Sequence, residues 1–235
     1  MRIMTFNTQH CRNYIKKEID YSIMADVINN LNADIVALNE MHGKGPDPQF
    51  EEQVTILAEK TGLNHHYFAH AILFDGKNPY GNGILSRYPI IQAEAIPIPD
   101  PAVKSYQGYY ETRCLLKAKL ENGVTVLVTH FGLNPDEQEN AVKTIVDNIE
   151  PEKCILMGDF NVLPDDKVLT PIRKCMKDTA DLFAMPLYSY PSDHPDMKID
   201  YIFVSQDIEI IDADIPAIIA SDHRPHIATV EIPGI

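Results

Sequence analysis

The sequence is poor in basic residues, in cysteine and in long apolar runs, and each shortage argues against a class of protein. The chain has 34 Asp and Glu residues but only 20 Lys and Arg residues, which gives a formal net charge of −14. Tight non-specific binding to duplex DNA needs a basic surface, so this charge argues against it. The cysteines Cys11, Cys114, Cys154 and Cys175 form no C-x-x-C pair, which argues against a zinc knuckle or redox dithiol and favours small buried hydrophobes. Without an uncharged apolar run of about 18 residues, a membrane-spanning helix is excluded.

The start of the chain and its composition bear on location and domain number. The first residues, Met1 to Asn7, are typical of a strand and lack the apolar core and small-residue cleavage site of a signal peptide. We therefore expect a cytoplasmic protein. Hydrophobic residues make up 45% of the chain, and no repeat or linker interrupts it, which predicts a single domain over residues 1–235 with a sizeable core.

Strand-like and helix-like segments alternate along the chain. Strands are predicted at residues 2–7, 34–39, 66–73, 83–86, 113–120, 124–129, 153–157, 199–204 and 227–232. Helices are predicted around residues 23–31, 54–58, 136–149 and 167–176. An Asn-Gly turn at 122–123 predicts an antiparallel hairpin between two of the strands. One or two mixed sheets with helices outside is the simplest arrangement.

An apolar strand repeatedly ends in a carboxylate, an amide or a histidine where a turn should begin. These ends are Asn7, Asn39-Glu40, His130, the segment Gly158-Asp159-Phe160-Asn161 and the segment Ser221-Asp222-His223. Any one of them is ordinary turn chemistry, and a lone histidine is usually structural. All of them together indicate a site, because strand ends on one side of a sheet bring their side chains to one place.

These side chains suit phosphoryl chemistry with a hard divalent cation. Asp and Glu oxygens favour Mg²⁺, Mn²⁺ or Ca²⁺ over zinc, and carboxylates crowded together without a cation would raise one another's pKa. Asn and His side chains can donate to phosphate oxygens, and an Asp or a His can activate a water for in-line attack. The pattern therefore predicts a metal-dependent phosphoester hydrolase.

Several short motifs occur in an order that resembles one known superfamily. They are Thr-Phe-Asn at 5–7, Leu-Asn-Glu at 38–40, Gly-Ile-Leu-Ser-Arg at 83–87, Thr-His at 129–130, Gly-Asp-Phe-Asn at 158–161, Ile-Asp-Tyr-Ile-Phe at 199–203 and Ser-Asp-His-Arg-Pro at 221–225. The chain resembles the endonuclease/exonuclease/phosphatase superfamily, which includes DNase I-like nucleases, AP endonucleases, inositol polyphosphate 5-phosphatases and neutral sphingomyelinases. The resemblance implies a DNase I-like four-layer α/β sandwich, with two mixed β-sheets packed face to face and helices outside.

The resemblance also implies a metal site and a base. Glu40 matches the main metal ligand, with Asn7 beside it and Asp222 completing the coordination of Mg²⁺ or Mn²⁺. The superfamily usually has Gln before this glutamate, where this chain has Asn39. Asp159 matches the residue that orients or deprotonates the attacking water. Whether Asp159 or the histidine at 223 serves as the base differs across the superfamily, and both remain candidates.

Further roles follow from the same resemblance. Asn161 matches the amide that steadies the phosphate, and His130 matches a phosphate-contacting imidazole. His223 is expected to pair with Asp200, which would fix its tautomer and charge as a carboxylate does for a catalytic imidazole.

Weaker signals mark three candidates for substrate binding. Tyr80 and Asn82 precede the Gly-Ile-Leu-Ser-Arg strand, where related enzymes place substrate-facing residues; a glycine-rich turn is the competing interpretation. Arg113 begins a strand and could reach a phosphate or form a surface salt bridge. His10 and His42 follow site strands closely, so either could line the cleft.

The acidic charge favours a small or lipid-derived phosphorylated substrate, cut as a phosphodiester or phosphomonoester. The alternative is an endonuclease or exonuclease, or an AP endonuclease-like enzyme, acting on DNA or RNA. The absence of tryptophan and the Met197-Lys198 segment, where AP endonucleases place aromatic and basic residues, argue against abasic-site cleavage. A non-catalytic scaffold would lack Glu40, Asp159 or His223, and all three are present.

Overall fold

Two six-stranded mixed sheets pack face to face, and helices cover their outer surfaces. The computed structural model describes residues 1–47 and 50–235. Their strands are β1 (Arg2–Asn7), β2 (Ile35–His42), β3 (His65–Phe74), β4 (Asn78–Ser86), β5 (Ile90–Pro97), β6 (Cys114–Leu120), β7 (Thr125–His130), β8 (Cys154–Asp159), β9 (Met176–Asp178), β10 (Asp200–Ser205), β11 (Glu209–Asp214) and β12 (His226–Glu231). Their helices are α1 (Tyr21–Asn30), α2 (Gln53–Thr61), α3 (Pro135–Val146) and α4 (Thr170–Cys175). The predicted four-layer α/β sandwich is confirmed.

The strand order places the polar strand ends side by side. The first sheet runs β11-β12-β1-β2-β4-β3, and the second runs β5-β6-β7-β8-β10-β9. In the first sheet β1 and β2 are parallel, with Asn7 opposite Asn39. In the second sheet β7 and β8 are parallel, with His130 opposite Asp159, and the antiparallel β10 begins with Asp200 opposite Asp159. Both sheets therefore present their polar ends at the same end of the sandwich.

Three apolar layers hold the sandwich together. Between the sheets, fully buried side chains such as Ile35, Val126 and Ile202 form the central layer. Helices α1 and α2 pack on the outer face of the first sheet around Phe6, and α3 and α4 pack on the outer face of the second around Phe160. A strand that packs on both faces is apolar throughout, which explains the continuous apolar runs of β1, β2, β7 and β8. Each such side chain stabilises the fold by about 1.5–3 kcal/mol relative to an exposed one.

Side-chain caps set where α1 and α3 begin. Asp20 accepts hydrogen bonds from two backbone N–H groups in the first turn of α1. Asn134 and Glu137 form a reciprocal capping box at α3, and Pro135 occupies the first helical position, where its missing N–H costs nothing. None of the helices in residues 1–47 and 50–235 combines the length and apolarity needed to cross a membrane.

The structure contains three strands that the apolar pattern does not predict, namely β5, β9 and β11. Each lies at the edge of its sheet, and β5 and β11 expose much of their length, so their sequences lack a strong apolar run. The helix predicted at 167–176 is a 3-10 turn at Lys167–Leu169 followed by α4, because Pro171 fits only a first helical turn. Cys175 is exposed, so the expectation of buried cysteines is wrong for that residue.

Candidate active site

The side chains of β1 and β2 meet β8 across the interface between the sheets. Asn7 Nδ2 donates hydrogen bonds to Glu40 Oε1 and to Asp159 Oδ2, each at 3.1 Å. Asn7 is fully buried, whereas Glu40 is partly exposed, so its carboxylate is open to a ligand. A single amide thus joins one carboxylate from each sheet.

Asn39, the residue before Glu40, is a second link between the sheets. Its Nδ2 donates to Asn82 Oδ1 and to the backbone oxygen of Thr129, both at 2.8 Å, and its Oδ1 accepts from the backbone N–H of Asp159 at 3.0 Å. Asn39 is fully buried, so these bonds lie in a medium where an unpaired polar group is costly. The shorter amide at this position therefore holds the backbone of β8 directly against β2.

Glu40 lies at an irregularity in β2. Its φ is +60°, and the register between β2 and β4 shifts between Leu38 and Met41. A non-glycine residue in this conformation costs about 1–3 kcal/mol and persists only where the surrounding structure holds it. Here β2 pairs with β4 both before and after Glu40. Strain of this kind clusters at functional sites, and it falls on the residue predicted to be the main metal ligand.

Asp159 lies at the centre of the cluster. Its Oδ2 is 3.5 Å from His130 Nε2 and 3.7 Å from His223 Nε2, and its Oδ1 accepts from the backbone N–H of Asn161 at 3.0 Å. Burial raises the pKa of the Asp159 carboxyl; the nearby Asp200 adds to this, while His223 opposes it. Asn161, with φ at +50°, turns the chain at this point and donates from Nδ2 to the backbone oxygen of Phe131 at 3.0 Å.

His223 forms a buried pair with Asp200, at 2.8 Å between Nδ1 and Oδ2. Burial opposes a charge on the imidazole, but Asp200 and Asp159 outweigh it and raise the pKa of His223. The ring of Tyr190, from the loop between β9 and β10, packs against this imidazole with centroids 4.8 Å apart. The pair thus favours the charged form of the imidazole, whose Nε2 lies 3.7 Å from Asp159 Oδ2.

Gln9, which sequence reasoning missed, links Asn7 to Asp222. Its backbone N–H donates to Asn7 Oδ1 at 3.1 Å, and its side-chain Nε2 donates to Asp222 Oδ2 at 2.8 Å. Gln9, His10 and Cys11 have φ values of 47°, 52° and 60°, a left-handed turn directly after β1. Only its position two residues after Asn7 could have pointed to Gln9, because glutamine has no titratable group and fits any loop.

Arg113 and His130 are neighbours at the edge of the cluster. Arg113 NH1 is 3.0 Å from His130 Nδ1 and 2.6 Å from Glu111 Oε1, and the arginine side chain is 12% exposed. Burial, together with the charges of Arg113 and His223, lowers the pKa of His130 well below its usual value. Arg113 therefore forms a salt bridge, although a largely buried one rather than one at the surface, and its contact with a phosphate stays a prediction.

Tyr80 and Asn82 lie within β4 rather than in a turn before a strand. The Tyr80 ring lies 5.2 Å from that of His42 and 6.0 Å from that of His10, and burial and the charge of Glu40 raise the pKa of its hydroxyl. Asn82 is buried, and besides accepting from the Asn39 amide it donates to the backbone oxygen of Cys114 at 3.1 Å. Tyr80 therefore borders the site, while both ends of the Asn82 amide are occupied by protein partners.

Two groups of donors could hold a divalent cation. In the first, ligand atoms of Asp159, Asp200 and His223 lie within 4.8 Å of one another. His223 Nδ1 is already engaged with Asp200 at 2.8 Å, so a cation bound through that nitrogen would break the pair. This group fits proton transfer better than metal binding.

The second group is the set inferred from the resemblance: Glu40, Asn7 and Asp222. It offers carboxylate and amide oxygens on two partly exposed residues and one buried residue, the hard donors that Mg²⁺ and Mn²⁺ prefer. Burial raises the pKa of Asp222; His223 opposes this, and the charge of Glu40 adds to it. A cation would relieve that repulsion, so the residues present fit the metal.

A family model described as the Endonuclease/Exonuclease/phosphatase family matches residues 4–223. The chain belongs to this family. The matched span begins within β1 and ends at His223, so it includes both sheets and the whole cluster described above. No curated protein sequence matches the chain.

Several solved structures share the fold at low sequence identity. The chain is similar to an endonuclease/exonuclease/phosphatase from Beutenbergia cavernae, with 21% identity, a TM-score of 0.78, and coverage of 100% of this chain and 72% of that one. A mannosyl-6-phosphatase of Bacteroides thetaiotaomicron has 13% identity and a TM-score of 0.72, with 99% and 100% covered. Truncated Caenorhabditis elegans TDP2 has 16% identity and a TM-score of 0.64, with 97% and 96% covered.

Proposed function

We propose that the protein is a divalent-metal-dependent phosphoester hydrolase acting on a small or lipid-derived phosphorylated substrate. The observation that carries the proposal is the buried Asp159 carboxylate, which lies within 3.1 Å of Asn7 and within 3.7 Å of both His130 and His223. Such a group between an amide and two imidazoles suits activation of water beside a phosphoryl group. Family membership supports the same reaction class.

In this proposal Glu40, Asn7 and Asp222 hold Mg²⁺ or Mn²⁺. The bound cation would neutralise part of the negative charge of the phosphoryl group. Gln9 holds the Asp222 carboxylate through its 2.8 Å hydrogen bond, and the Asn7 amide holds that of Glu40. These bonds orient the oxygens before a ligand arrives, which reduces the reorganisation needed during the reaction.

We assign the base to Asp159, since the carboxylate of Asp200, 2.8 Å from Nδ1, raises the pKa of His223 and favours its charged form. The water oxygen bonds to phosphorus while the ester P–O bond breaks; one water proton passes to Asp159, and the leaving ester oxygen takes up a proton from solvent. Burial raises the pKa of the Asp159 carboxyl towards neutral pH, and a general base is most efficient when its pKa lies near the working pH. Asn161 and His130 donate to phosphoryl oxygens as charge develops on them.

The proposed substrate class rests on the net charge of the chain and on the residues that border the site. Tyr80 lies beside Glu40 and Arg113 beside His130, and in this proposal both contact the substrate. Asn82 would act through Asn39 rather than by touching substrate, because both ends of its amide are bonded to protein. The net charge of −14 favours a compact phosphorylated molecule over a long polyanion.

The test is hydrolysis of bis-p-nitrophenyl phosphate and a panel of phosphomonoesters with Mg²⁺ or Mn²⁺, with and without EDTA. We expect turnover that EDTA abolishes and that Asp159→Asn and His223→Gln each lower by about 10²–10⁴-fold. Matched controls are Asp212→Asn on the exposed edge strand β11 and His66→Gln on β3, which should keep full activity. Turnover that persists in EDTA or in both site variants would contradict the proposal.

A nuclease is the competing outcome, and nicking of supercoiled plasmid at low and moderate salt separates the two. Fast nicking that falls steeply with salt would favour a nuclease, because contacts to many phosphates release counterions. Slow nicking with little salt dependence, beside faster cleavage of a small phosphoester, would support the proposed substrate class. The same site variants serve in both assays.

A further inference from the structure

The two histidines that face Asp159 have opposite partners at Nδ1. His223 Nδ1 lies 2.8 Å from a carboxylate oxygen of Asp200, whereas His130 Nδ1 lies 3.0 Å from a guanidinium nitrogen of Arg113. A carboxylate accepts hydrogen bonds, and a guanidinium can only donate them. The proton on each imidazole must therefore be arranged differently.

For His130 the geometry leaves one arrangement. A proton on Nδ1 would point at the Arg113 N–H at 3.0 Å, placing two donors head to head with no acceptor between them. Since arginine does not lose its proton in proteins, Nδ1 must carry the lone pair. The single ring proton is then on Nε2, whose neighbour is Asp159 Oδ2 at 3.5 Å.

Arg113 is itself held in place. Its NH1 forms an ion pair with Glu111 Oε1 at 2.6 Å, and the two side chains are 12% and 15% exposed. An arginine side chain with this little exposure has few alternative rotamers, and its planar fork fixes the direction of each N–H. His130 is likewise buried at the end of β7, so the contact joins two fixed groups.

We propose that Arg113 is a positioning residue that holds His130 as the neutral tautomer with its proton on Nε2. Resting on the proposed function, His130 then acts as an uncharged hydrogen-bond donor to a phosphoryl oxygen and does not exchange protons with the substrate. His223 is the opposite case, with Nδ1–H donated to Asp200. The two imidazoles on either side of the Asp159 carboxylate thereby carry their hydrogen-bonding protons on opposite ring nitrogens, Nε2 in His130 and Nδ1 in His223.

The test is a long-range ¹H–¹⁵N correlation spectrum of the histidine rings in ¹⁵N-labelled protein at neutral pH with Mg²⁺. The His130 signals are assigned by their loss in His130→Gln. We expect an unprotonated Nδ1 and a protonated Nε2 for His130, and a protonated Nδ1 for His223. In Arg113→Met the His130 Nδ1 signal should move towards the protonated position, whereas Arg113→Lys, which keeps a donor, should restore most of the wild-type pattern.

Arg87→Met is the matched control, because Arg87 pairs with Asp34 on the exposed surface, away from the histidines. It should leave the His130 signals unchanged, and thermal melting shows whether each variant is folded. If Arg113→Met does not fold, Arg113→Lys and the wild type still decide the question. A wild-type His130 with its proton on Nδ1, or doubly protonated, would overturn the proposal. The spectrum requires no turnover, so its result is separate from the outcome of the hydrolysis assays.

Discussion

Replacing Asn39 by alanine should weaken the contact between the two sheets and disturb the site at the same time. The Asn39 amide makes hydrogen bonds to Asn82, to the backbone oxygen of Thr129 and to the backbone N–H of Asp159, at 2.8, 2.8 and 3.0 Å. Alanine removes the amide and leaves these three partners buried. No other side chain in the residues that the structure describes is hydrogen-bonded to these three atoms.

The magnitude follows from the unpaired groups. Each buried donor or acceptor left without a partner costs about 1–3 kcal/mol, so three of them cost about 3–6 kcal/mol once some relaxation is allowed. A domain of this class is stable by about 5–15 kcal/mol, so the loss is a large fraction of the total. At about 2–4 °C per kcal/mol for a chain of this size, the melting temperature should fall by about 6–24 °C.

Urea denaturation and thermal melting of Asn39→Ala measure the effect, and Asn30→Ala is the matched control. Asn30 is exposed in the last turn of α1, so its replacement should change the free energy of unfolding by less than about 0.5 kcal/mol. Phosphoesterase activity at a temperature where both variants are folded should fall only for Asn39→Ala, because Asp159 loses a backbone anchor. A loss of less than about 1 kcal/mol would refute the cross-sheet role of this amide.

Three further predictions concern Gly158 in β8, the buried His226 and the Asp200–His223 pair. Gly158→Ala should be strongly destabilising in urea melts, because φ is 151° and a Cβ would lie 1.9 Å from a backbone oxygen of β7; stability within about 1 kcal/mol of wild type would contradict this. Burial lowers the pKa of His226 to about 3, so between pH 6.5 and 3 only the unfolded state binds this proton. The free energy of unfolding should therefore fall by about 1.4 kcal/mol per pH unit as the pH drops below 6.5. Urea melts of His226→Gln should show a shallower fall with pH, and equal slopes for the variant and the wild type would contradict this role of His226. Asp200→Asn should remove the charge that keeps His223 protonated and lower kcat by about 10²–10⁴-fold; a near-normal kcat would exclude that role.

The buried elements could be predicted from the sequence because their physical signal is local. β1, β2, β7 and β8 pack on both faces, so their apolar runs are visible without knowing the partners. β5 and β11 are edge strands that expose much of their surface, and nothing in their composition separates them from loops. Their existence depends on the neighbouring strands β6 and β12, which is tertiary information.

Within the site, the charged residues could be predicted from the sequence more easily than the amides. Carboxylates and histidines after apolar strands, such as Asp159 and His223, stand out because those positions are unusual for charged groups. Gln9 and Asn39 act through hydrogen bonds to partners far away in sequence, Asp222 and Asp159, so no local pattern marks their role. Arg113 could be named as a candidate, but its effect on a histidine depends on which ring nitrogen it meets, and that requires coordinates.

The arrangement explains why the cluster needs both sheets. Asn7 and Glu40 come from the first sheet, Asp159 and His130 from the second, and the Asn7 amide is the direct bond between them. A change in how the sheets pack would therefore move the proposed metal ligands relative to the proposed base, even if each strand kept its own structure. Positioning of a reacting group to within about an ångström is worth large factors in rate, so in the proposed reaction the central apolar layer would affect the rate through the distances it sets. In this fold, stability of the sandwich and geometry of the site depend on the same buried amides.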